Sequence, residues 1–203
     1  MSNNQLDKSI KAVKMANGLK DPTEPFSSYM NYSKNNLDIT MHFKKAPALT
    51  SLVKKDIFSL FKDNMMETYK KCPWEWNEKE KRAELFHKDA RYILVCNSTN
   101  KSLVAFVHFR FDIEDLIEVL YLYEIQLEKK VRGKGLGRYL MSLMENIAFH
   151  YNMKRIALTV LKSEINVINF YFSLQYEIES YSPEDAFYYI LSKKSKTLEL
   201  VNN

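Results

Sequence analysis

The chain has 203 residues, 46% of them apolar, which is enough for a substantial core in one domain and excludes a disordered protein. Its net charge of +5 is small and spread along the chain, so it permits an acidic partner without requiring one. Two cysteines (Cys72, Cys96) and four isolated histidines lack metal-ligand spacing, and no apolar run spans a bilayer; the reading is no metal, a reducing compartment, and nucleus or cytoplasm. Residues 4–19 carry Leu6, Ile10, Val13, Ala16 and Leu19 at helical spacing, closed by Gly18 and Pro22. Residues 20–36 are polar and turn-rich. Leu37, Ile39, Met41 and Phe43 then alternate as in a half-buried strand. Thr50 to Lys71 reads as a long helix with Leu52, Val53, Ile57, Leu60, Phe61, Met65 and Tyr69 on one face. Pro73 stops it, Trp74 and Trp76 follow, and Asn77 with Glu80 forms a capping box for a short helix through Phe86.

Arg91 to Cys96 and Leu103 to Asp112 read as a hairpin about the turn at Asn97–Asn100. A polar loop, Glu114 to Glu118, leads to a strand through Leu127. A glycine-rich basic turn and a helix, roughly Leu136 to Tyr151, come next. The remainder is a strand at Arg155–Leu161, a helix at Ile165–Leu174, and strands at Tyr176–Tyr181 and Phe187–Ser192. This order predicts an α/β fold, a mixed central sheet with helices on both faces. The expected division is a helical extension over 1–49 packing on the domain, a domain over 50–195, and a tail over 196–203.

The chemistry concentrates at residues 121–139. Gly133, Gly135 and Gly137 are three of the four glycines in the protein, and they lie among Arg132, Lys134 and Arg138. A strand, a basic glycine turn and a helix start make an anion site, because glycine lets the backbone approach a ligand and the helix start offers unpaired N–H groups. The spacing does not suit a dinucleotide fold, and no Gly-Lys-Ser/Thr follows for a Walker loop. Immediately upstream, Glu124 is a carboxylate in an otherwise apolar and aromatic strand. From Asp112 to Glu128 there are six acids (Asp112, Glu114, Asp115, Glu118, Glu124, Glu128) and no lysine or arginine.

The run Arg132-Gly133-Lys134-Gly135-Leu136-Gly137 resembles the acetyl-coenzyme A loop of the GCN5-related N-acetyltransferases, whose backbone amides hold the coenzyme pyrophosphate. Asn169-Phe170-Tyr171 follows in a later helix, much as in that superfamily. The resemblance implies that Arg132, Gly133, Lys134, Gly135, Leu136, Gly137 and Arg138 bind acetyl-CoA. It adds Ile125, Gln126 and Leu127 along the pantetheine arm, and Asn166 and Tyr171 in the later helix. The superfamily's coenzyme-contacting asparagine aligns with Glu164, with Asn166 close by.

Tyr-x-Tyr-Glu-Ile-Gln-Leu-Glu at Tyr121–Glu128, Trp74-x-Trp76, Leu158-Thr159-Val160 and Tyr188-x-Ile190-Leu191-Ser192 are more specific. They resemble the N-alpha-acetyltransferase D group, which acetylates the N-terminal serine of histone 4 and histone 2A, tails that begin Ser-Gly-Arg-Gly. The implied activity is direct transfer of acetyl to a free α-amine in a ternary complex, by a monomer that needs neither membrane nor nucleic acid. An α-amine has a pKa near ~8, so a modest base suffices, directly or through a water. Glu124, its pKa raised by burial, is the candidate base; Asp112 is the alternative, or the two share the work. Asp112 and Glu114, two apart on a strand, can both face the arginine of the tail. Tyr69, Trp74, Tyr121, Tyr123 and Tyr188 supply pocket walls, with Thr159 among the substrate residues. The rival readings are a lysine side-chain acetyltransferase and a non-catalytic module that binds coenzyme A or a histone tail.

Overall fold

The computed structural model describes residues 3–195, so the expected tail lies outside the described residues. The described chain forms two compact units. One holds Thr23–Arg110 and Glu124–Leu140; the other holds the residues before 23, Phe111–Tyr123 and the chain after 140.

The first unit begins with 3-10 turns at Glu24–Met30, then strands β1 (Asn31–Lys34) and β2 (Leu37–Lys45). These two form a hairpin whose turn residues, Asn35 and Asn36, have φ of 53° and 59°. Asparagine tolerates that left-handed region better than most side chains. Residues 20–36 therefore include a strand that four polar-looking residues did not betray. In β2, Ile39 and Met41 are buried while His42 is exposed, as the alternation predicts. β2 pairs antiparallel with β3 (Arg91–Asn97), and β3 with β4 (Leu103–Glu114). Helix α2 (Ser51–Lys70) is capped by Thr50, whose Oγ1 accepts from Val53 N at 3.3 Å. Helix α3 (Glu78–Leu85) is capped by Asn77, whose Oδ1 accepts from Glu80 N at 3.2 Å. The core of this unit is Ile57, Phe58, Leu60 and Phe61 of α2 against Leu85, Tyr92, Leu94 and Phe106. Trp76 joins it, stacked on Phe61 with centroids 5.9 Å apart. Leu52, at the start of the apolar stripe, is instead exposed.

In the second unit, helix α1 (Asn3–Gly18) is tied down by two hydrogen bonds. Ser9 Oγ donates to Glu118 at 2.5 Å, and Asn17 Nδ2 donates to the Phe111 carbonyl at 3.2 Å. β5 (Ile117–Leu127) runs parallel to β6 (Arg155–Leu161), from Val119↔Arg155 to Leu122↔Leu158. Helix α4 (Leu136–His150) connects them, as a parallel pair requires. Leu143, Met144 and Ile147 of that helix are fully buried. Helix α5 (Ile165–Phe172) follows, then β7 (Glu177–Ile178) and β8 (Tyr188–Lys194), which pairs antiparallel with β6.

The strands hydrogen-bond in the order β1-β2-β3-β4-β5-β6-β8-β7, a mixed eight-stranded sheet in an α/β fold. Two expectations need correction. The polar loop Glu114–Glu118 is a two-residue turn, Asp115 and Leu116, with φ of 48° and 63°. Its other residues belong to β4 and β5, so the acids there are strand residues. The strand expected over Tyr176–Tyr181 contracts to Glu177–Ile178, because Ser182 N turns back to the Glu179 carbonyl at 2.9 Å.

Candidate active site

The glycine turn lies between β5 and α4, in the first unit. Gly133 and Gly135 have φ of +70° and +82°, where a side chain is strained. A Cβ on Gly135 would also lie 2.9 Å from the Tyr32 hydroxyl. That hydroxyl donates to the Lys134 carbonyl at 2.6 Å, and Asn35 Nδ2 donates to the same oxygen at 3.0 Å. Tyr139 Oη, in the first turn of α4, donates to the Asn31 carbonyl at 3.0 Å. Its ring lies 4.9 Å from that of Tyr32. The small hairpin of β1 and β2 thus braces the turn from outside.

Helix geometry leaves the first N–H groups of α4, those of Leu136 and Gly137 among them, without intrahelical acceptors. They carry the positive end of the helix dipole, beside the half-buried Lys134 and the exposed Arg132 and Arg138. Leu136 has its side chain in the core, so it can serve a ligand only through its backbone. The donors present suit a pyrophosphate. Removing the Tyr32 brace with Tyr32→Phe deletes one hydrogen bond, about 0.5–1.5 kcal/mol, and should weaken coenzyme A binding about two- to tenfold by calorimetry. Unchanged affinity would show that the hairpin does not hold the turn.

Three residues before β5 ends stands Glu124, partly buried in the same unit. Burial raises its carboxyl to a pKa of about 8. Gln126 Nε2, donating to Glu124 Oε2 at 2.7 Å, opposes the rise. The Glu84 carboxylate adds to it, and the Lys81 ammonium opposes it. The Tyr69 hydroxyl of α2 is pushed up as well, first by burial and next by Glu124. The Tyr69 ring stacks on Trp74 at 6.0 Å, and Lys81 Nζ sits 4.2 Å over it while pairing with Glu84 at 3.0 Å. A carboxyl poised near neutrality beside an aromatic surface that attracts cations suits proton transfer from an amine. Beyond it, the Leu127 carbonyl accepts from Asn64 Nδ2 at 3.1 Å and from Arg132 Nε at 3.0 Å. Asn64 was not singled out in the sequence, although a signal exists. It lies seven residues after Ile57, on the apolar stripe of α2, where an asparagine is out of pattern.

The second unit gathers the other candidates. The Tyr121 hydroxyl and Thr159 Oγ1 share a hydrogen bond of 2.6 Å across the β5–β6 pair, and the Tyr123 ring lies 5.1 Å from that of Tyr121. Burial pushes the Tyr121 phenol up to about 12, with the Thr159 bond opposing. Tyr188 opens β8 opposite Leu161. Burial raises the Glu114 carboxyl, followed by repulsion from Asp112 and Asp115, with Arg155 opposing. Asp112 is exposed, and its Oδ1 accepts from Ile113 N at 2.8 Å.

The six acids do not form one cluster. Glu118 is buried against Ser9, with Lys154 at 4.0 Å, and Glu128 pairs with Lys130 at 2.7 Å. Asn166 is exposed in the first turn of α5, while Tyr171 is buried, with Tyr176 at 5.6 Å. Glu164 occupies the N-cap of α5 without a side-chain capping bond. Among the described residues, no group of three or more His, Cys, Asp or Glu could hold a metal ion.

A model of the acetyltransferase (GNAT) family matches residues 57–174. Solved structures share the fold. PaiA N-acetyltransferase from Thermoplasma acidophilum, in complex with coenzyme A, is 16% identical, with a TM-score of 0.57 over 77% of this chain and 99% of that one. Arabidopsis thaliana Naa50, in complex with the bisubstrate analogue CoA-Ac-MVNAL, is 18% identical, with a TM-score of 0.54 over 76% and 99%. The GNAT domain of S. lividans PAT is 10% identical, with a TM-score of 0.59 over 80% and 93%.

Proposed function

Because this chain belongs to the acetyltransferase (GNAT) family, we propose that it transfers acetyl from acetyl-CoA to the free N-terminal serine amine of histone tails that begin Ser-Gly-Arg-Gly. The supporting observation is the setting of Glu124: a partly buried carboxyl, raised to about 8, on the strand that leads into the glycine turn. The value matches an α-amine, whose pKa is near ~8, better than a lysine side chain near ~10.4. The amine nitrogen attacks the thioester carbonyl; the new C–N bond forms as C–S breaks. The ammonium proton passes to Glu124, directly or through a water, and the thiolate of coenzyme A is protonated in turn. No covalent enzyme intermediate is needed, so neither Cys72 nor Cys96 has a part.

Peptide substrates are supported by the analogue CoA-Ac-MVNAL bound to Arabidopsis Naa50. The resemblance of Tyr121–Glu128, Trp74–Trp76 and Tyr188–Ser192 to histone N-terminal acetyltransferases supports a peptide of the histone type. The proposed substrate contacts are Tyr69 and Trp74 in the first unit, and Tyr121, Tyr123, Thr159 and Tyr188 in the second, where Asp112 and Glu114 are the proposed partners of the arginine. On this reading the proposed location is nucleus and cytoplasm.

The test is mass spectrometry of Ser-Gly-Arg-Gly-Lys-Gly peptides incubated with enzyme and acetyl-CoA. The expected result is one acetyl on the α-amine of the free peptide and none on its N-terminally blocked form. Acetyl on the lysine of the blocked peptide would make this a side-chain enzyme. No acetyl on either would leave no catalytic role on histone tails.

A further inference from the structure

A chain of polar side chains in the first unit connects the glycine turn with Glu124. Arg132 Nη2 donates to Asn64 Oδ1 at 2.6 Å. Asn64 Nδ2 donates to Gln126 Oε1 at 2.9 Å and to the Leu127 carbonyl at 3.1 Å. Gln126 Nε2 donates to Glu124 Oε2 at 2.7 Å.

The direction of this chain is forced by chemistry. A guanidinium has donors only, so Asn64 must present its oxygen to Arg132. The Leu127 carbonyl only accepts, so the Asn64 nitrogen must face the other way. Gln126, receiving a donor on its oxygen, is then obliged to turn its own N–H toward Glu124. Each amide passes the donor character of the arginine one step further. The sequence places these groups well. Gln126 is two residues after Glu124 on β5, which lets the two side chains meet on one face. Asn64 reaches them from α2, and Arg132 returns from the turn that follows the strand.

We propose that Asn64 is a positioning residue, which fixes the orientation of the Gln126 amide and so ties the protonation of Glu124 to the arginine of the coenzyme loop. The proposal rests on the reading of Glu124 as the base. With Asn64 in place, the Gln126 N–H favours the carboxylate, the form that accepts a proton. Without it, the amide is free to turn its oxygen toward Glu124, which favours the protonated and inactive form. The other groups facing Glu124 are Glu84 and Lys81 of α3, Tyr69 of α2 and Tyr92 of β3. None of them bonds to Asn64 among the hydrogen bonds of the described residues, so a change at position 64 acts through Gln126.

The experiment is the kcat–pH profile of the full chain with saturating acetyl-CoA and a Ser-Gly-Arg-Gly peptide. Wild type, Asn64→Ala, Asn64→Leu and Glu124→Gln are compared. Asn64→Leu keeps about the same volume and adds no charge, but has no N–H for Gln126. In both Asn64 variants the acid limb should move up by about one pH unit, a loss of about tenfold at pH 7 that is recovered in alkali. A uniform loss at every pH, with the limb unmoved, would make Asn64 merely structural and overturn the proposal. Should Asn64→Ala not fold, Gln126→Leu makes the same prediction through the second amide. Glu124→Gln separates the two levels of argument. If it keeps wild-type kcat, the base assignment fails, and the proposal with it. If it is inactive and the Asn64 limb does not move, only the proposal fails.

Discussion

Glu124→Gln lowers kcat by about 10²–10⁴-fold and leaves the affinity for acetyl-CoA unchanged; this is the larger of the two effects expected in solution. The substitution keeps the size of the side chain and its contact with Gln126, and removes only the proton acceptor. In the wild type, the carboxyl titrating at about 8 sets the pH dependence. Below that value the group is protonated and cannot accept, so activity should fall about tenfold per pH unit on the acid side. Stopped or steady-state assays between pH 6 and 9 measure this directly. Equal activity of Glu124→Gln, Asp112→Asn and wild type across that range would remove both candidate bases.

The same substitution has a thermodynamic consequence of opposite sign. The folded pKa of Glu124 is raised above its unfolded value, so the folded state prefers the protonated group. The stabilising contribution is complete below about pH 4.5, where both states are protonated, and it is lost as pH rises toward 8. A neutral amide avoids that loss. Glu124→Gln should therefore be more stable than wild type at pH 9, by about 1–2 kcal/mol in denaturant unfolding, and the gap should close on acidification. A residue that costs stability in its working form is the signature of a site kept for chemistry rather than for folding.

The parts of this protein legible in its sequence are those with a local physical signal. The strand at Arg155–Leu161 is apolar after its first residue apart from Thr159, and it is found with those bounds. Asn77 announces α3 as its cap and accepts the bond expected of it, and Thr50, read as the first residue of α2, stands one place earlier as its cap. The glycine turn was visible because glycines are otherwise nearly absent. What brings Tyr32 and Asn35 to that turn is not local. Their contacts reach about a hundred positions along the chain, through a hairpin with a two-asparagine turn and one four-residue strand. The Asp115–Leu116 turn was hidden for a different reason: leucine at φ of 63° is a residue against its own preference, and no propensity argument predicts it. Asn64 falls between these cases. Its place on an apolar stripe is a legible anomaly, whereas its partners become known only when β5 and the glycine turn are folded against α2.

The second large effect concerns the third residue of the peptide. Replacing arginine by alanine in Ser-Gly-Arg-Gly should raise KM about ten- to a hundredfold, the 1.5–3 kcal/mol typical of a hydrogen bond to a charged group. The two proposed partners are unequal. Asp112 is exposed and already accepts from its neighbour's N–H, so its pairing with a guanidinium is of the surface kind, about 0.2–1 kcal/mol. Glu114 is partly buried, and its carboxyl is raised first by that burial and then by repulsion from Asp112 and Asp115. A guanidinium placed beside it relieves that repulsion and favours its ionised form. Glu114→Gln should consequently erase most of the discrimination between the two peptides, and Asp112→Asn only a small part of it. A double-mutant cycle of Glu114→Gln against the arginine-to-alanine peptide measures the coupling. Substitutions of lysines further along the tail should have little effect, since the proposed contacts end at the third residue. If Ser-Gly-Ala-Gly were acetylated as well as Ser-Gly-Arg-Gly, the acidic pair would have no part in recognition. The enzyme would then act on N-termini in general, selecting by the size of the first two residues against its aromatic walls.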